Sequence, residues 1–239
     1  QELKNACRLY FTLDNTSRNG LVVTPEKGAG TISSSASNVS TGLINEGVLM
    51  NATNKILLGN STMNTNNSLI NNTDVFSFSY YREITNNGNI KTSFDLAKAG
   101  SSNANYSQYI FSNNLDFGVI SREFNGATND YKIFRYNISN SYNSTGFNHI
   151  CGFFNPSNNQ SKLFINGVEI TNKTLLLKNA GVNLQIKGLS EVRIGCLLSE
   201  NNAYMINDKI DEVSFFYGIE TTQEIADFLY NNGNGLQLF

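Results

Sequence analysis

Short apolar runs bounded by turn-forming residues recur along this chain at intervals of roughly ten residues, which limits the folds open to it. Residues 75–81 alternate apolar and polar side chains, as in a strand that buries one face. Further apolar runs cover residues 109–111, 117–120 and 131–136. Strands at this spacing pair into a sandwich or a barrel, so the sequence predicts an all-β fold.

The strongest turn signal is the dipeptide Asn166-Gly167, which lies between the alternating residues 163–165 and 168–170. Both Asn and Gly accept positive φ angles, which a two-residue turn between antiparallel strands requires. The sequence therefore predicts a tight hairpin here.

One segment near the end of the chain has the pattern of a helix. Thr221 and Glu224 form a capping box, with Thr221 as the predicted N-cap. Residues 231–233, Asn-Asn-Gly, favour the end of the helix. Its predicted apolar stripe, which would pack on the sandwich, consists of Ile225, Phe228 and Leu229.

Length and composition argue against several functions. The 239 residues fit one β-sandwich domain covering residues 1–239. Charged residues make up only 15% and the net charge is -2, so no basic face is available for phosphates and we expect no nucleic-acid partner. No apolar run reaches about 18 residues, so we expect no insertion into a membrane.

The three cysteines do not form a recognisable motif. Cys-x-x-Cys is absent, so neither a zinc site nor a thiol redox site is expected. Cys151 and Cys196 lie within apolar runs, and two alternatives remain open for them: buried thiols, or one disulfide.

The residues near the carboxy terminus resemble a known family. The segments Glu-Val-Arg-Ile-Gly at 191–195 and Asn-Asp-Lys-Ile-Asp-Glu-Val-Ser-Phe-Phe at 207–216, followed by the capped helix, are similar to the signature of laminin-G-like, concanavalin A-like jelly-roll domains. Residues 10–14, 147–152 and 161–167 resemble upstream elements of the same family, in the same order.

The sequence departs from the family pattern at a few positions. Tyr or Phe stands at both usual Trp positions, and Lys209 replaces a usual Gly. The resemblance implies a two-sheet antiparallel jelly-roll sandwich with one short C-terminal α-helix.

The resemblance, together with Asn- and Tyr-rich loops and the absence of paired carboxylates, leads us to expect a non-catalytic binding or adhesion module of a secreted, cell-surface or virion protein. Its expected partner is a glycan or a protein of a cell surface or virion. Gln1 in place of Met leads us to expect a processed or trimmed chain. The candidate sugar-stacking residues are Tyr80, Tyr81, Tyr106, Tyr142 and Tyr204. Two alternatives are a structural decoration or fibre domain of a virus particle or surface layer, and a glycoside hydrolase or polysaccharide lyase of the same fold.

The residues give little support to catalysis. Glycan-cleaving enzymes place two carboxylates around the scissile bond, and no two acidic residues stand two apart on one predicted strand. His149 is the only histidine and has no carboxylate or nucleophile near it in sequence.

Asp211 is the carboxylate that most needs an explanation. Strand alternation predicts that it shares a face with Val213 and Phe215, toward the edge of the core, and that Glu212 faces the other way. A buried carboxylate needs partners, which are either backbone N–H groups of a neighbouring loop or a calcium ion. The resemblance allows calcium near this strand, with Asp14 as a second candidate ligand.

Overall fold

The protein is described from a computed structural model. The residues that it describes are 1–13, 18–19, 22–23, 32–34, 39–44, 46–49, 56–58, 70–71, 75–83, 91–97, 107–112, 116–124, 129–138, 142, 145–155, 158–178, 187–189, 191–195 and 208–239.

Two large antiparallel sheets form the molecule. The strands of the first sheet are β1 (Cys7–Phe11), β5 (Val39–Thr41), β6 (Glu46–Leu49), β9 (Phe76–Glu83), β14 (Phe147–Asn155), β15 (Gln160–Ile165), β16 (Val168–Glu169) and β20 (Lys209–Tyr217). The strands of the second sheet are β2 (Arg18–Asn19), β3 (Val22–Val23), β4 (Ile32–Ser34), β7 (Ile56–Leu58), β10 (Lys91–Ala97), β11 (Ser107–Ser112), β12 (Asp116–Phe124), β13 (Asn129–Asn137), β17 (Lys173–Lys178) and β19 (Glu191–Ile194). A small separate sheet pairs β8 (Ile70–Asn71) with β18 (Lys187–Leu189).

The strand orders define the layers. The first sheet runs β16-β15-β14-β9-β20-β6-β5, and β1 also pairs with β20. The second sheet runs β17-β13-β12-β11-β10-β19-β7-β4-β3-β2. The helices are α1 (Glu2–Ala6) and α2 (Gln223–Tyr230), and a 3-10 turn (Asn231–Gly233) follows α2. The expected antiparallel two-sheet fold with a short C-terminal helix is confirmed, whereas a single domain over residues 1–239 stays a prediction.

Aromatic side chains fill the space between the two sheets. The Phe94 ring of β10 lies 4.8 Å from the Phe215 ring of β20, edge to face, and 5.6 Å from the Phe78 ring of β9. Such pairs are favourable beyond the area they bury. This contact joins the inner faces of the two sheets and is the centre of the core.

A buried ion pair accompanies the aromatic core. Arg82 Nε donates to Asp208 Oδ2 at 2.7 Å, and Arg82 Nη1 donates to Ser93 Oγ at 2.9 Å. Arg82 and Asp208 are each 1% exposed. The pair therefore fixes the beginning of β20 to β9 and, through Ser93, to the second sheet.

The Asn166-Gly167 hairpin is confirmed. Their φ angles are 52° and 78°, and Ile165 pairs with Val168 on either side of the turn. Asn166 also fixes the turn to β14, the neighbouring strand of the sheet, because its Oδ1 accepts a hydrogen bond from the backbone N–H of His149 at 2.9 Å.

Helix α2 differs in two details from the sequence prediction. Thr222, not Thr221, is the N-cap and accepts a hydrogen bond from the Ile225 N–H, while the hydroxyl of Thr221 donates to the carbonyl of Gly152. Phe228 is 55% exposed, so it was wrongly assigned to the packing stripe. The side chains of α2 that the sandwich buries are Ala226 and Leu229.

Candidate functional site

A polar depression on the outer face of the second sheet is the candidate site. Its volume is about 270 Å³, and it is lined by Asp116, Arg135, Asn137, Asn172, Thr174 and Leu176. These residues come from β12, from β13, and from β17 with the residue before it.

Strand alternation explains why these side chains face outward. On β13, Phe134 and Tyr136 point into the core, so Arg135 and Asn137 point to the other face. The strand register then brings the rest of the lining together: Asp116 of β12 pairs with Asn137, and Thr174 of β17 pairs with Arg135.

The depression offers hydrogen-bond donors and acceptors next to an apolar surface. Arg135 Nη2 donates to Asp116 Oδ2, and the two side chains are 50% and 14% exposed. Leu176 is 41% exposed. Binding sites for small molecules combine apolar contact with a few placed polar groups, and this depression has both.

No sequence motif indicates the depression. The alternation of residues 131–136 is enough to place Arg135 on the face opposite Phe134, but its neighbours on β12 and β17 depend on strand pairing. Asp116 lies 19 residues from Arg135 in the chain.

Two of the predicted sugar-stacking tyrosines are core residues, which corrects that expectation. Tyr80 is 0% exposed and its hydroxyl donates to Ser93 Oγ at 2.9 Å. Tyr81 is 3% exposed and its hydroxyl donates to the Leu229 carbonyl at 2.8 Å, beneath α2. Burial raises the pKa of both hydroxyls. Neither ring is available to a ligand at the surface.

The other three tyrosines stay candidates. Tyr142 is partly buried and packs against the sandwich core. Tyr106 and Tyr204 lie outside the described residues. The prediction that they stack on a sugar stays untested.

Asp211 accepts hydrogen bonds from backbone N–H groups, which was one of the two alternatives predicted for it beside a calcium ion. Its Oδ2 accepts from the backbone N–H groups of Leu43 at 2.9 Å and Ile44 at 3.1 Å, and its Oδ1 accepts from the Glu212 N–H at 2.9 Å. Three N–H donors therefore stabilise this buried charge. Asp14 lies outside the described residues, so calcium binding by Asp14 and Asp211 stays a prediction. The described part of the chain contains no cluster of three acidic, His or Cys side chains suited to a metal ion.

A β-bulge makes the predicted orientation of Asp211 wrong. Asp211 pairs with Tyr81 but Ser214 pairs with Ser79, so β20 has one extra residue between them. Glu212 takes up this residue with a φ of 50°. Val213 belongs to the sandwich core, whereas Asp211 lies opposite Tyr81, on the side covered by α2.

Beneath α2, His149 and Ser79 form a buried polar pair that sequence analysis missed. Ser79 Oγ lies 2.8 Å from His149 Nε2, and the His149 ring contacts the rings of Tyr81, at 4.7 Å, and Tyr230, at 6.1 Å. Desolvation lowers the pKa of His149 to about 3. The two residues are 70 positions apart, so only the pairing of β9 with β14 brings them together.

A Ser–His contact is also the first half of a nucleophile and base arrangement. Here Ser79 is 3% exposed and His149 is 0% exposed, and His149 Nδ1 has no hydrogen-bond partner among the described residues. A substrate has no access to the pair. Through the His149 ring, which packs on Tyr230 at the end of α2, the pair is part of the contact between α2 and the first sheet.

Cys151 also lies beneath α2. It is a buried thiol and forms no disulfide, and burial raises its pKa. This decides between the two alternatives for Cys151, whereas Cys196 lies outside the described residues.

A family model described as the concanavalin A-like lectin/glucanases superfamily matches residues 57–226. A search of curated proteins found no match. Within the described residues, no helix has the length and apolar character needed to cross a membrane.

Several solved structures share the fold of this chain. The botulinum neurotoxin serotype D binding domain matches with a TM-score of 0.65 and 17% identity, over 97% of this chain and 52% of that chain. The binding domain of botulinum neurotoxin DC in complex with SialylT matches with a TM-score of 0.62 and 14% identity. The match covers 96% of this chain and 52% of that chain.

A third match is a structure of botulinum neurotoxin type C. Its title states that cell entry of the toxin depends on interaction with two ganglioside molecules. Its TM-score is 0.62 and its identity 15%, over 96% of this chain and 52% of that chain. The chain thus spans about half the length of these structures.

Proposed function

We propose that this chain, which belongs to the concanavalin A-like lectin/glucanase superfamily, is a non-catalytic module that binds a glycan of a cell surface. The superfamily includes both lectins and glucanases, so membership alone does not choose between binding and hydrolysis. The observation that carries the proposal is the depression around Arg135, which presents polar groups and an apolar contact on an open sheet face.

The chemistry of the depression favours binding over hydrolysis. Glycoside hydrolysis usually requires two carboxylates about 5 to 9.5 Å apart. Among the described residues that line the depression, Asp116 is the only acid, and it is already paired with Arg135. A ligand that enters here meets hydrogen-bonding groups without the acid and base pair that bond cleavage needs.

The structural neighbours support a cell-surface ligand. Their titles describe a complex with SialylT for one botulinum toxin domain and a dependence on two ganglioside molecules for another. At 14% and 15% identity these matches establish the fold, and the ligand class for this chain is part of the proposal. An extracellular location is proposed with it, because that is where such glycans are presented.

A glycan array probed with the intact chain tests the proposal. We expect a limited set of related glycans to bind, and we expect binding to cultured cells to fall after enzymatic removal of those glycans. Each arm is repeated with calcium and with a chelator. Failure to bind both the array and untreated cells would contradict the proposal, as would the release of reducing sugar from any arrayed polysaccharide.

A further inference from the structure

We infer that the depression around Arg135 takes an uncharged sugar residue, which it holds through two neighbouring hydroxyl groups. This inference rests on the proposed function and names the ligand class of the same site. It follows from the charge balance, the donor and acceptor pattern and the size of the depression.

The charge balance disfavours an acidic ligand. The guanidinium of Arg135 is paired with the carboxylate of Asp116, so the positive charge is compensated within the site. An incoming carboxylate or sulfate would approach the Asp116 carboxylate and be repelled. Lys173 keeps its charge but lies on the opposite face of β17 from the lining residues Asn172 and Thr174, where its Nζ donates to the Ser161 carbonyl of the first sheet at 2.6 Å.

The donor and acceptor pattern fits two adjacent hydroxyl groups. A hydroxyl both donates and accepts a hydrogen bond. One hydroxyl can donate to Asp116 while its neighbour accepts from Arg135, and the pair of side chains presents these two functions side by side. The exposed amides of Asn137 and Asn172 supply further donors and acceptors around them.

The apolar side of the depression and its volume suit a single sugar ring. Leu176 is 41% exposed and lies at one side of the depression, where it can cover the C–H face of a ring. Pockets for drug-sized ligands measure about 300–1,000 Å³, and this one, at about 270 Å³, lies just below that range. One sugar residue fits within it, and the rest of a glycan would extend into solvent.

The test uses sugars that differ only in charge. Chemical-shift titration of the isotope-labelled chain is carried out with methyl glycosides of galactose, glucose and mannose, and with the matching galacturonate, glucuronate and mannuronate. We expect at least one neutral glycoside to bind and its uronate to bind several-fold more weakly.

Asp116→Asn gives opposite predictions for the two ligand classes, and Arg135→Met tests whether binding takes place in this depression. With a neutral sugar, Arg135→Met and Asp116→Asn both weaken binding by about tenfold or more, because each removes a hydrogen bond to a charged group. With an acidic sugar, Asp116→Asn would strengthen binding because it removes the repelling charge. The matched control is Lys162→Met, which breaks the partly buried Lys162–Glu169 pair at 3.0 Å on the other sheet and should leave binding unchanged.

Each result decides the question. Tighter binding of a uronate, with a further gain in Asp116→Asn, would overturn the inference and leave the proposed function intact. Sugar binding that neither Arg135→Met nor Asp116→Asn changes would also overturn the inference and leave the proposed function intact, because the sugar site would then lie elsewhere. If no glycan binds in the titrations or on the array, both the inference and the proposed function fail. The Arg135–Asp116 and Lys162–Glu169 pairs are both partly exposed, and such ion pairs contribute little to stability, so all three variants should fold.

Discussion

His149 is fully buried beneath α2, and desolvation lowers its pKa to about 3 from the ordinary value of 6.5. The imidazole is therefore neutral in the folded protein at every pH above about 3, whereas in the unfolded chain it gains a proton below pH 6.5. Because the unfolded state binds more protons in this window, the stability that His149 confers is complete above pH 6.5 and is lost as the pH falls toward 3.

The size of the effect follows from the separation of the two pKa values. One pH unit in this window corresponds to about 1.4 kcal/mol. Acidification from pH 8 to pH 5 should therefore lower the free energy of unfolding by about 2 kcal/mol through His149 alone. For a chain of this length that loss lowers the melting temperature by about 4 to 8 °C. Carboxylates of ordinary pKa remain largely ionised above pH 5, and the chain has no other histidine.

Urea unfolding, followed by circular dichroism between pH 8 and pH 5, measures this slope. His149→Gln is the control: it should be less stable at pH 8, because it disturbs the contact with Ser79, but its stability should be nearly independent of pH in this range. Equal slopes for the two proteins would refute the reasoning. So would an NMR titration that gives folded His149 a pKa near 6.5.

The alternating runs and the Asn166-Gly167 turn predicted the strands and one hairpin correctly because both signals are local. Alternation within residues 75–81 did not reveal that both faces of β9 are buried. Tyr80 faces the core, and Tyr81 faces α2, which arrives from the far end of the chain. A tyrosine assigned to the surface from sequence therefore lies under a helix that the local pattern does not show.

Asp211 shows the same limit in another form. Its sequence context correctly suggested a buried carboxylate that accepts backbone N–H groups. Its face could not be predicted, because the bulge at Glu212 shifts the alternation of β20 by one residue. A positive φ at a glutamate has no sequence signal comparable to that of Asn-Gly. The depression around Arg135 was missed for a related reason, since three strands contribute to it and only their pairing defines it.

Three further predictions test the interior of the fold by thermal and urea unfolding. Arg82→Met or Asp208→Asn alone should cost about 3–5 kcal/mol by removing the counter-ion of a buried charge, and the double variant should cost less than the sum of the two. Gly167→Ala and Gly146→Ala both place alanine at a positive φ, at a cost of about 1–2 kcal/mol. Gly167→Ala should cost more, because its Cβ would lie 3.1 Å from the Tyr230 ring of α2, whereas a Cβ at position 146 would have no atom within 4 Å. Equal costs for the two variants would show that the hairpin does not pack tightly on the helix. Asp211→Asn should cost about 1–3 kcal/mol by weakening an acceptor of three N–H groups, equally with calcium and with a chelator. A chelator that lowers the melting temperature of the unaltered protein but not that of Asp211→Asn would show instead that this carboxylate binds calcium.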